Sequence, residues 1–594
     1  MTAPLIGARD LSFVLHDWLD TSALCQRDRF ADHDRETFDA VLELAEEVAR
    51  EQLAPHYRRN DIEEPTFDGT TVHVHEAIGD GMRALARSGF VGAPLDVAVG
   101  GSQLPATVAT ACQLWFDAAN VSTASYAGLT RVNAGLLARL GGPELVAAYV
   151  GPMLEGRFAG TMCISESEAG SSVGDLRTKA VPADDGTYRI TGQKMWISGG
   201  DQDVTENIVH LVLARREGAP PGPRGVSLFC VPKILPDGSR NDVTVSSLNH
   251  KMGWRGTTNT ALNFGDGTYR PGGSTGAVGH LLGEPERGLA AMFPMMNEAR
   301  ISVGTSAVAL GFAGYLESLE YAGGRRQGRP PARRHLGGPP VPIVEHADVR
   351  RMLLAQKSYV EGGLAFNLYC ARLVDDAQTA PTAAVRERAA QMLGVLTPVA
   401  KSWPSQWCLE ANHLAMQVMG GAGYTRDHTV EQRFRDNRLN MIHEGTHGIQ
   451  ALDLLGRKVV ADGGAGWRAV LSQIGRTVDV AEAQGGPVAA AMGASLAQVA
   501  ATLDAVATTV WQREDLDATL ESASLFLETF GHVLHAWVWL ELYLATGDDP
   551  SAFHAGKRQA ARYFFTHELP RTDRWLKLLA ERDSVVNDLQ VDWL

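Results

Sequence analysis

The chain has 594 residues, 45% hydrophobic and 21% charged, an ordinary globular balance with room for roughly three or four packed domains. Sixty-nine acidic against fifty-four basic residues leave a net charge of −15. That balance argues against a general nucleic-acid binder, though a local basic patch remains compatible with it.

The N-terminus, MTAPLIGARDLSFVLHDWLD, lacks the basic-then-apolar pattern of a signal peptide. The cysteines (Cys25, Cys112, Cys163, Cys230, Cys370, Cys408) are scattered without a CxxC pair and read as reduced, mostly buried thiols of a cytoplasmic protein. Residues 35–57, 77–90 and 104–157 carry apolar positions at helical spacing, so residues 1–158 are expected to form a helical domain. The stretches 188–200, 206–216, 225–233, 242–248 and 259–265 are short, β-branched and bounded by turn residues, which predicts a β-barrel or sandwich over 159–290.

Helical spacing returns over 291–461, broken by the Pro/Gly/Arg-rich insertion 325–342, expected as a surface loop or flap with little secondary structure. A Gly-rich break at 462–466 opens an additional helical domain, 467–594. Its alanine-rich stretch 487–510 is interrupted by Gly493, Ser495, Gln498, Thr502 and Asp504, so no membrane span is expected. There is no internal repeat. The fold class is mainly α with a central β domain, an α–β–α order plus an extra C-terminal helical domain.

The segment Gln417–Lys458 carries the chemistry and admits two readings. His443, Glu444 and His447 spell HExxH, a zinc-site pattern that needs both histidines on one continuous helix. Gly445 and Gly448 disfavour that helix, and Thr446 is a natural N-cap for the apolar spacing Ile449, Leu452, Leu455. In the second reading Glu444 is a carboxylate base on the loop before a helix, with no metal.

Four blocks in order, 162–180 (MCISESEAGSSVGDLRTKA), 190–200 (ITGQKMWISGG), 417–424 (QVMGGAGY) and 435–446 (R-x-x-R-x-x-x-I-H-E-G-T), resemble the acyl-CoA dehydrogenase family. The extra C-terminal domain resembles that of larger bacterial members, the methylthiopropionyl-CoA dehydrogenases among them. The resemblance implies FAD-dependent α,β-desaturation of an acyl-CoA, with Glu444 removing the α-proton and flavin N5 taking the β-hydride. It implies FAD contacts from Met162, Ser165, Ser171, Trp196 and Ser198. It further implies contacts from Arg325 and Gln327, and from Gln417, Gly420, Gly421 and Thr446, some of them across a homodimer interface. Substrate contacts would come from Ser171, Asn297, Arg300 and Gly445. Arg300 is equally compatible with tying its helix to the β domain, and Arg326 leaves the register of Arg325 open by one. Ser172 stands where the family has aspartate, and His443 where an aromatic is common.

The implied partners are an acyl-CoA and an electron-transfer flavoprotein, with no nucleic acid. The alternatives are an acyl-CoA oxidase using dioxygen, or a DNA-associated, non-dehydrogenase member of the superfamily. The latter would rest on Lys557, Arg558, Arg562, Arg571 and Arg574, the densest basic group of 467–594.

Overall fold

The computed structural model describes residues 5–331, 338–511, 515–581 and 585–594, apart from the side chains of residues 293 and 294. The chain forms two compact bodies, one of residues 36–298, the other combining the first 35 residues with 299–594.

In the first body, helices α1 (Arg35–Val48), α2 (Glu76–Arg87) and α3 (Ala106–Leu140) precede the strands. The long α3 is broken at Asn120, which leaves helical geometry. Its side chain donates to the Leu53 carbonyl (3.1 Å) and accepts from Asn60 (3.1 Å), so the kink keeps its polar groups paired.

The strands of the eight-stranded sheet are β1 (Phe158–Cys163), β2 (Lys179–Pro182), β3 (Tyr188–Ser198), β4 (Asn207–Arg216), β5 (Val226–Pro232), β6 (Val243–Leu248), β7 (Asn259–Phe264) and β8 (Ala277–Leu282). β8 pairs with β5 and also with the first residues of β3, closing the ring β8–β5–β4–β2–β3. The second half of β3 pairs with β7, and β7 with β6, while β1 lies parallel to β4. Of the two architectures expected, the barrel is the one formed. β4 and β5 are buried almost throughout, since they carry side chains into packed layers on both faces.

One ion pair fastens the loop after β1 to β3. Lys194 is fully buried and its Nζ lies 2.9 Å from Glu166 Oε1 and 3.0 Å from the Ile164 carbonyl. Glu166 also accepts from the Thr178 hydroxyl, the Thr178 N–H and the Arg177 N–H. Burial opposes the Glu166 charge, yet Lys194 and these donors outweigh it and hold the carboxyl below its usual range. Burial lowers the Lys194 pKa, and the glutamate only partly offsets it.

The second body is helical. α4 (Gly288–Gly324) enters it at residue 299 and is followed by α5 (Ala347–Thr379), α6 (Ala383–Met419), α7 (Val430–Asn437) and α8 (His447–Asp453). α4 and α6 approach closely at Gly304, where an added Cβ would stand 1.8 Å from the Ala400 carbonyl oxygen. Pro404, four residues after Ala400, has no N–H to offer that carbonyl. The insertion 325–342 is pinned at its base: Gln327 N–H donates to Val341 O (3.0 Å), Ile343 N–H to Arg325 O (2.8 Å), and Arg326 bridges Pro342. The base thus carries a single bridge, in keeping with the little secondary structure expected; the tip, 332–337, lies outside the described residues.

The C-terminal helices are α9 (Ala465–Gln484), α10 (Gly486–Trp511), α11 (Ala523–Ala545), α12 (Ala552–Tyr563) and α13 (Arg571–Glu581). Residues 10–27, expected with the N-terminal helices, pack in this body: Asp10 pairs with Lys557, Trp18 with Glu541 and Arg27 with Asp376 of α5. α10 corrects the expectation that no apolar run is long enough to cross a membrane, because its 26 residues meet that test by length and composition. The interrupting residues break the run of letters but not the helix. Its apolar stripe, including Leu496, Leu503 and Val510, is buried, and it packs against α9, α11 and α13.

We predict that Lys194→Met lowers stability by about 3–5 kcal/mol, because Glu166 is left buried without its counter-charge. Adding Glu166→Gln should recover part of that loss, and urea unfolding of the two variants measures both.

Candidate active site

Glu444 sits on the turn before α8, as its sequence surroundings suggest. Thr446 is the N-cap, its hydroxyl accepting from the Ile449 N–H at 3.4 Å. His443 therefore precedes the helix and His447 begins it, so the two imidazoles do not share a helical face. His443 Nε2 meets Asn440 Oδ1 at 3.1 Å, and His447 Nε2 faces Glu528 Oε2 at 3.8 Å.

The turn itself is unusual. Glu444 has φ +52° and Gly445 φ +87°, two successive left-handed residues. A side chain there is strained, and the strain persists only where neighbours over-determine it. Two neighbours do so. Gln450 Nε2 donates to the Glu444 carbonyl at 2.9 Å, and Lys401 Nζ donates to the Gly445 carbonyl at 2.8 Å.

Lys401 was not singled out from sequence. It lies inside α6, fully buried, and is the only charged residue between Arg388 and Glu410. A lone charge in an apolar run was the available signal. Burial pushes its pKa down to about 8, despite the opposing pull of Glu444.

Arg300, on α4, forms an ion pair of 2.7 Å with Asp453 on α8, and both side chains are buried. The structure thus ties Arg300 to the helix that follows the Glu444 turn. Its Nε is buried without a hydrogen-bond partner among the described residues. Asn297 is half-buried one turn earlier on the same helix.

The electrostatics follow from these placements. The Glu444 side chain reaches solvent, yet it is surrounded densely enough that desolvation raises its pKa; Lys401 and Arg300 pull the other way. Accessible area and crowding differ here as they do at the floor of a hollow, where few water molecules reach a group that is not covered. Desolvation also lowers His443 to about 3 and His447 to about 4, with Lys401 adding to both, so each imidazole is neutral at pH 7. Around Glu444 stand Lys401, the Arg300–Asp453 ion pair and two uncharged rings, with Glu528 beyond His447.

Family models match the whole order of segments: "Acyl-CoA dehydrogenase, N-terminal domain" at 35–157, "middle domain" at 161–266, "C-terminal domain" at 286–460, and "Acetyl-CoA dehydrogenase C-terminal like" at 470–590. The 3-methylmercaptopropionyl-CoA dehydrogenase of Ruegeria pomeroyi is 34% identical over 92% of this chain and 93% of its own. The chain belongs to the acyl-CoA dehydrogenase family. The broad-specificity linear acyl-CoA dehydrogenase FadE5 of Mycobacterium tuberculosis is 33% identical over 98% of both chains. In fold it resembles Caenorhabditis elegans ACDH-11 in complex with C11-CoA (TM-score 0.78, 17% identity, 100% of this chain and 97% of the other). It likewise resembles a Bacillus anthracis acyl-CoA dehydrogenase complexed with FAD (TM-score 0.74, 17% identity, 99% and 94%). Membership makes this chain an FAD-dependent oxidoreductase that acts on acyl-CoA.

The residues expected at the flavin of this acyl-CoA dehydrogenase fall into two sets, one in each body. On the barrel, Trp196 lies in an irregularity of the β3–β7 pairing between Lys194 and Ile197, with φ +65° and a ring 61% exposed. A bulge that turns a large aromatic outward presents a flat apolar face, which fits a stacked ring system. Ser198 follows on the strand, its Oγ 3.4 Å from Asn259 Nδ2. The Ser165 carbonyl accepts from the Met195 N–H at 3.0 Å, fastening the loop beside Trp196. Ser171 is exposed, and Met162 packs partly into the apolar layer between α3 and the barrel. Ser172, in place of aspartate, does not prevent the turn: the Asp175 N–H closes it on the Ser172 carbonyl at 2.9 Å.

In the helical body, Gln417 is exposed at the end of α6, and Gly420 (φ +61°) and Gly421 are exposed with nothing within 4 Å of an added Cβ. This bare backbone lets a ligand approach closely. Arg325 and Arg326 are both exposed; Arg326 Nη1 donates to the Pro340 carbonyl at 3.2 Å, and Arg325 is the one whose guanidinium has no internal hydrogen bond among the described residues. Gln327 is exposed beside it. The basic group considered for DNA is partly consumed internally, since Lys557 is buried between Asp10 and Glu361, and Arg571 pairs with Glu568.

Glu528 supplies a test of the link between α11 and the Glu444 turn. It accepts from Trp407 Nε1 (2.6 Å) and Gln406 Nε2 (3.1 Å), and burial raises its pKa to about 7. A raised carboxyl pKa stabilises the fold fully below the unfolded value of about 4.5 and loses that contribution as pH rises through about 7. Glu528→Gln should therefore match the wild type in thermal midpoint near pH 4.5 and exceed it at pH 8.

Proposed function

We propose that this chain desaturates an acyl-CoA thioester, with Glu444 as the base that removes the α-proton. The observation that carries the reading is the placement of one carboxyl group, crowded yet reachable, on a left-handed turn held by two fixed donors. An ordinary α C–H is far too weak an acid for a solvated carboxylate, so the base needs desolvation to strengthen it, and the raised Glu444 pKa supports that.

Bound FAD supplies the acceptor for the β-hydride. Trp196, Ser198, Ser165, Ser171 and Met162 would hold its ring side, and Arg325, Gln327, Gln417, Gly420, Gly421 and Thr446 its phosphates and adenosine, some from a second copy in a homodimer. The guanidinium of Arg325 suits a pyrophosphate because it stays charged and offers paired donors. The Glu444 N–H would donate to the thioester oxygen, stabilising negative charge as the proton leaves. By the family resemblance, Ser171, Asn297, Arg300 and Gly445 would be the residues that contact the substrate. The neutral His443 beside the base adds no competing charge at pH 7.

Electrons would pass to an electron-transfer flavoprotein. Oxygen consumption during turnover with octanoyl-CoA separates this from an oxidase: a dehydrogenase consumes none at a rate comparable to anaerobic flavin reduction.

Glu444→Gln should bind FAD and stay yellow, while the flavin of the wild type bleaches with butyryl-CoA, octanoyl-CoA or palmitoyl-CoA. We expect at least about 10³-fold slower bleaching in the variant, from loss of a positioned base. Bleaching at the wild-type rate refutes the assignment.

A further inference from the structure

A fully buried lysine in the middle of a long helix is expensive unless its charge is used. Lys401 has no carboxylate in salt-bridge contact among the described residues; its hydrogen bond goes to a backbone carbonyl, that of Gly445. We propose that Lys401 is a positioning residue for Glu444: its ammonium holds the Gly445 carbonyl, and so the left-handed turn that presents the carboxylate, and keeps a buried positive charge next to that turn.

The geometry supports this in three steps. Peptide groups are planar and trans, so a carbonyl fixed on one side directs the following N–H to the other. Gln450 holds the Glu444 carbonyl and Lys401 the Gly445 carbonyl, so both peptide planes after Glu444 are set by side chains rather than by regular secondary structure. The positive φ of Glu444 is strained and relaxes unless such contacts persist.

Lys401 differs from Arg300, the other cation near the base. Arg300 is neutralised by Asp453, which Arg457 also engages, whereas Lys401 is not paired in this way. The groups facing Lys401 and the turn are Glu444, Arg300 with Asp453, Lys458 beyond them, Glu528 from α11, and the uncharged His443 and His447. Burial brings Lys401 down to about 8. Its charge restrains the basicity that desolvation gives Glu444, and it fades as pH rises through about 8.

The proposal rests on Glu444 being the base, and the test separates the two. Lys401→Met removes charge and hydrogen bond at similar volume, Lys401→Gln keeps a donor without charge, and Lys401→Arg keeps both. Circular dichroism and flavin absorbance verify folding and FAD loading. The Glu444 carboxyl is followed without substrate by infrared pH titration, identified as the band missing in Glu444→Gln. In Lys401→Met it should titrate about one to three units higher than in the wild type, and in Lys401→Arg within about half a unit of it. The acid limb of the octanoyl-CoA bleaching rate should move by the same amount, and the limb near pH 8 should vanish in the Met variant. Lys401→Gln should show the shifted titration with a smaller loss of rate than Met. If Met does not fold, the Gln and Arg pair gives the same contrast. An unshifted carboxyl titration in both neutral variants overturns the proposal. Rapid bleaching by Glu444→Gln would instead refute the base and leave the infrared result standing.

Discussion

Two adjacent carbonyl groups, those of Glu444 and Gly445, are held by side chains of different helices, and the organisation of the site depends on that restraint. A turn of two left-handed residues, one of them not glycine, has no regular ladder to keep it in place. Gln450 comes from the helix that follows and Lys401 from the middle of α6. The carboxylate is thereby presented at a helix start without being part of the helix. This is also why the HExxH spelling is misleading here: Thr446 caps the helix between the two histidines, and their side chains reach to Asn440 and Glu528.

The α–β–α order with its added helical segment was legible because the hydrophobic period changes from helical to alternating and back at clear turn residues. Glu444 was legible because capping chemistry at Thr446 is local. Trp196 and the two glycines at 420–421 were found through resemblance, and the structure adds the bulge and the bare backbone that suit them to a ligand. What stayed hidden was long-range. Nothing within a few residues of Lys401 announces that it meets Gly445, forty-four positions away. The Glu166–Lys194 pair joins two of the resembling blocks but spans a loop and a strand, so spacing alone does not reveal it. The Arg300–Asp453 pair has the same character; it is a contact within the helical body that neither reading of Arg300 included.

The C-terminal segment is more than an appendage to the helical body. α11 is buried along nearly its whole length, and Trp539 Nε1 donates to the Ser358 carbonyl at 3.0 Å. His535 stacks on Trp403 with ring centroids 3.4 Å apart, and Trp403 Nε1 donates to His532 at 3.2 Å. Trp403 follows Lys401 by two positions on α6. The aromatic cluster thus grips the same stretch of helix that carries the buried lysine, and Glu528 of the same segment reaches His447 at the start of α8. The extension packs around the part of the body that holds the Glu444 turn.

Gly304 places a constraint of a different kind on this chemistry. Lacking a side chain, it lets α4 rest on the Ala400 carbonyl, one residue before Lys401 and one turn after Arg300. The separation between the two cations is therefore metered by an atom that is missing, not by one that is present. Even a methyl group at 304 would press on that oxygen and on Asn367, forcing the helices to shift and changing the spacing of the two cations. The proton affinity of the carboxyl group can thus be retuned from a position that touches neither ligand nor charge, which gives natural variation or engineering a lever remote from the reacting atoms.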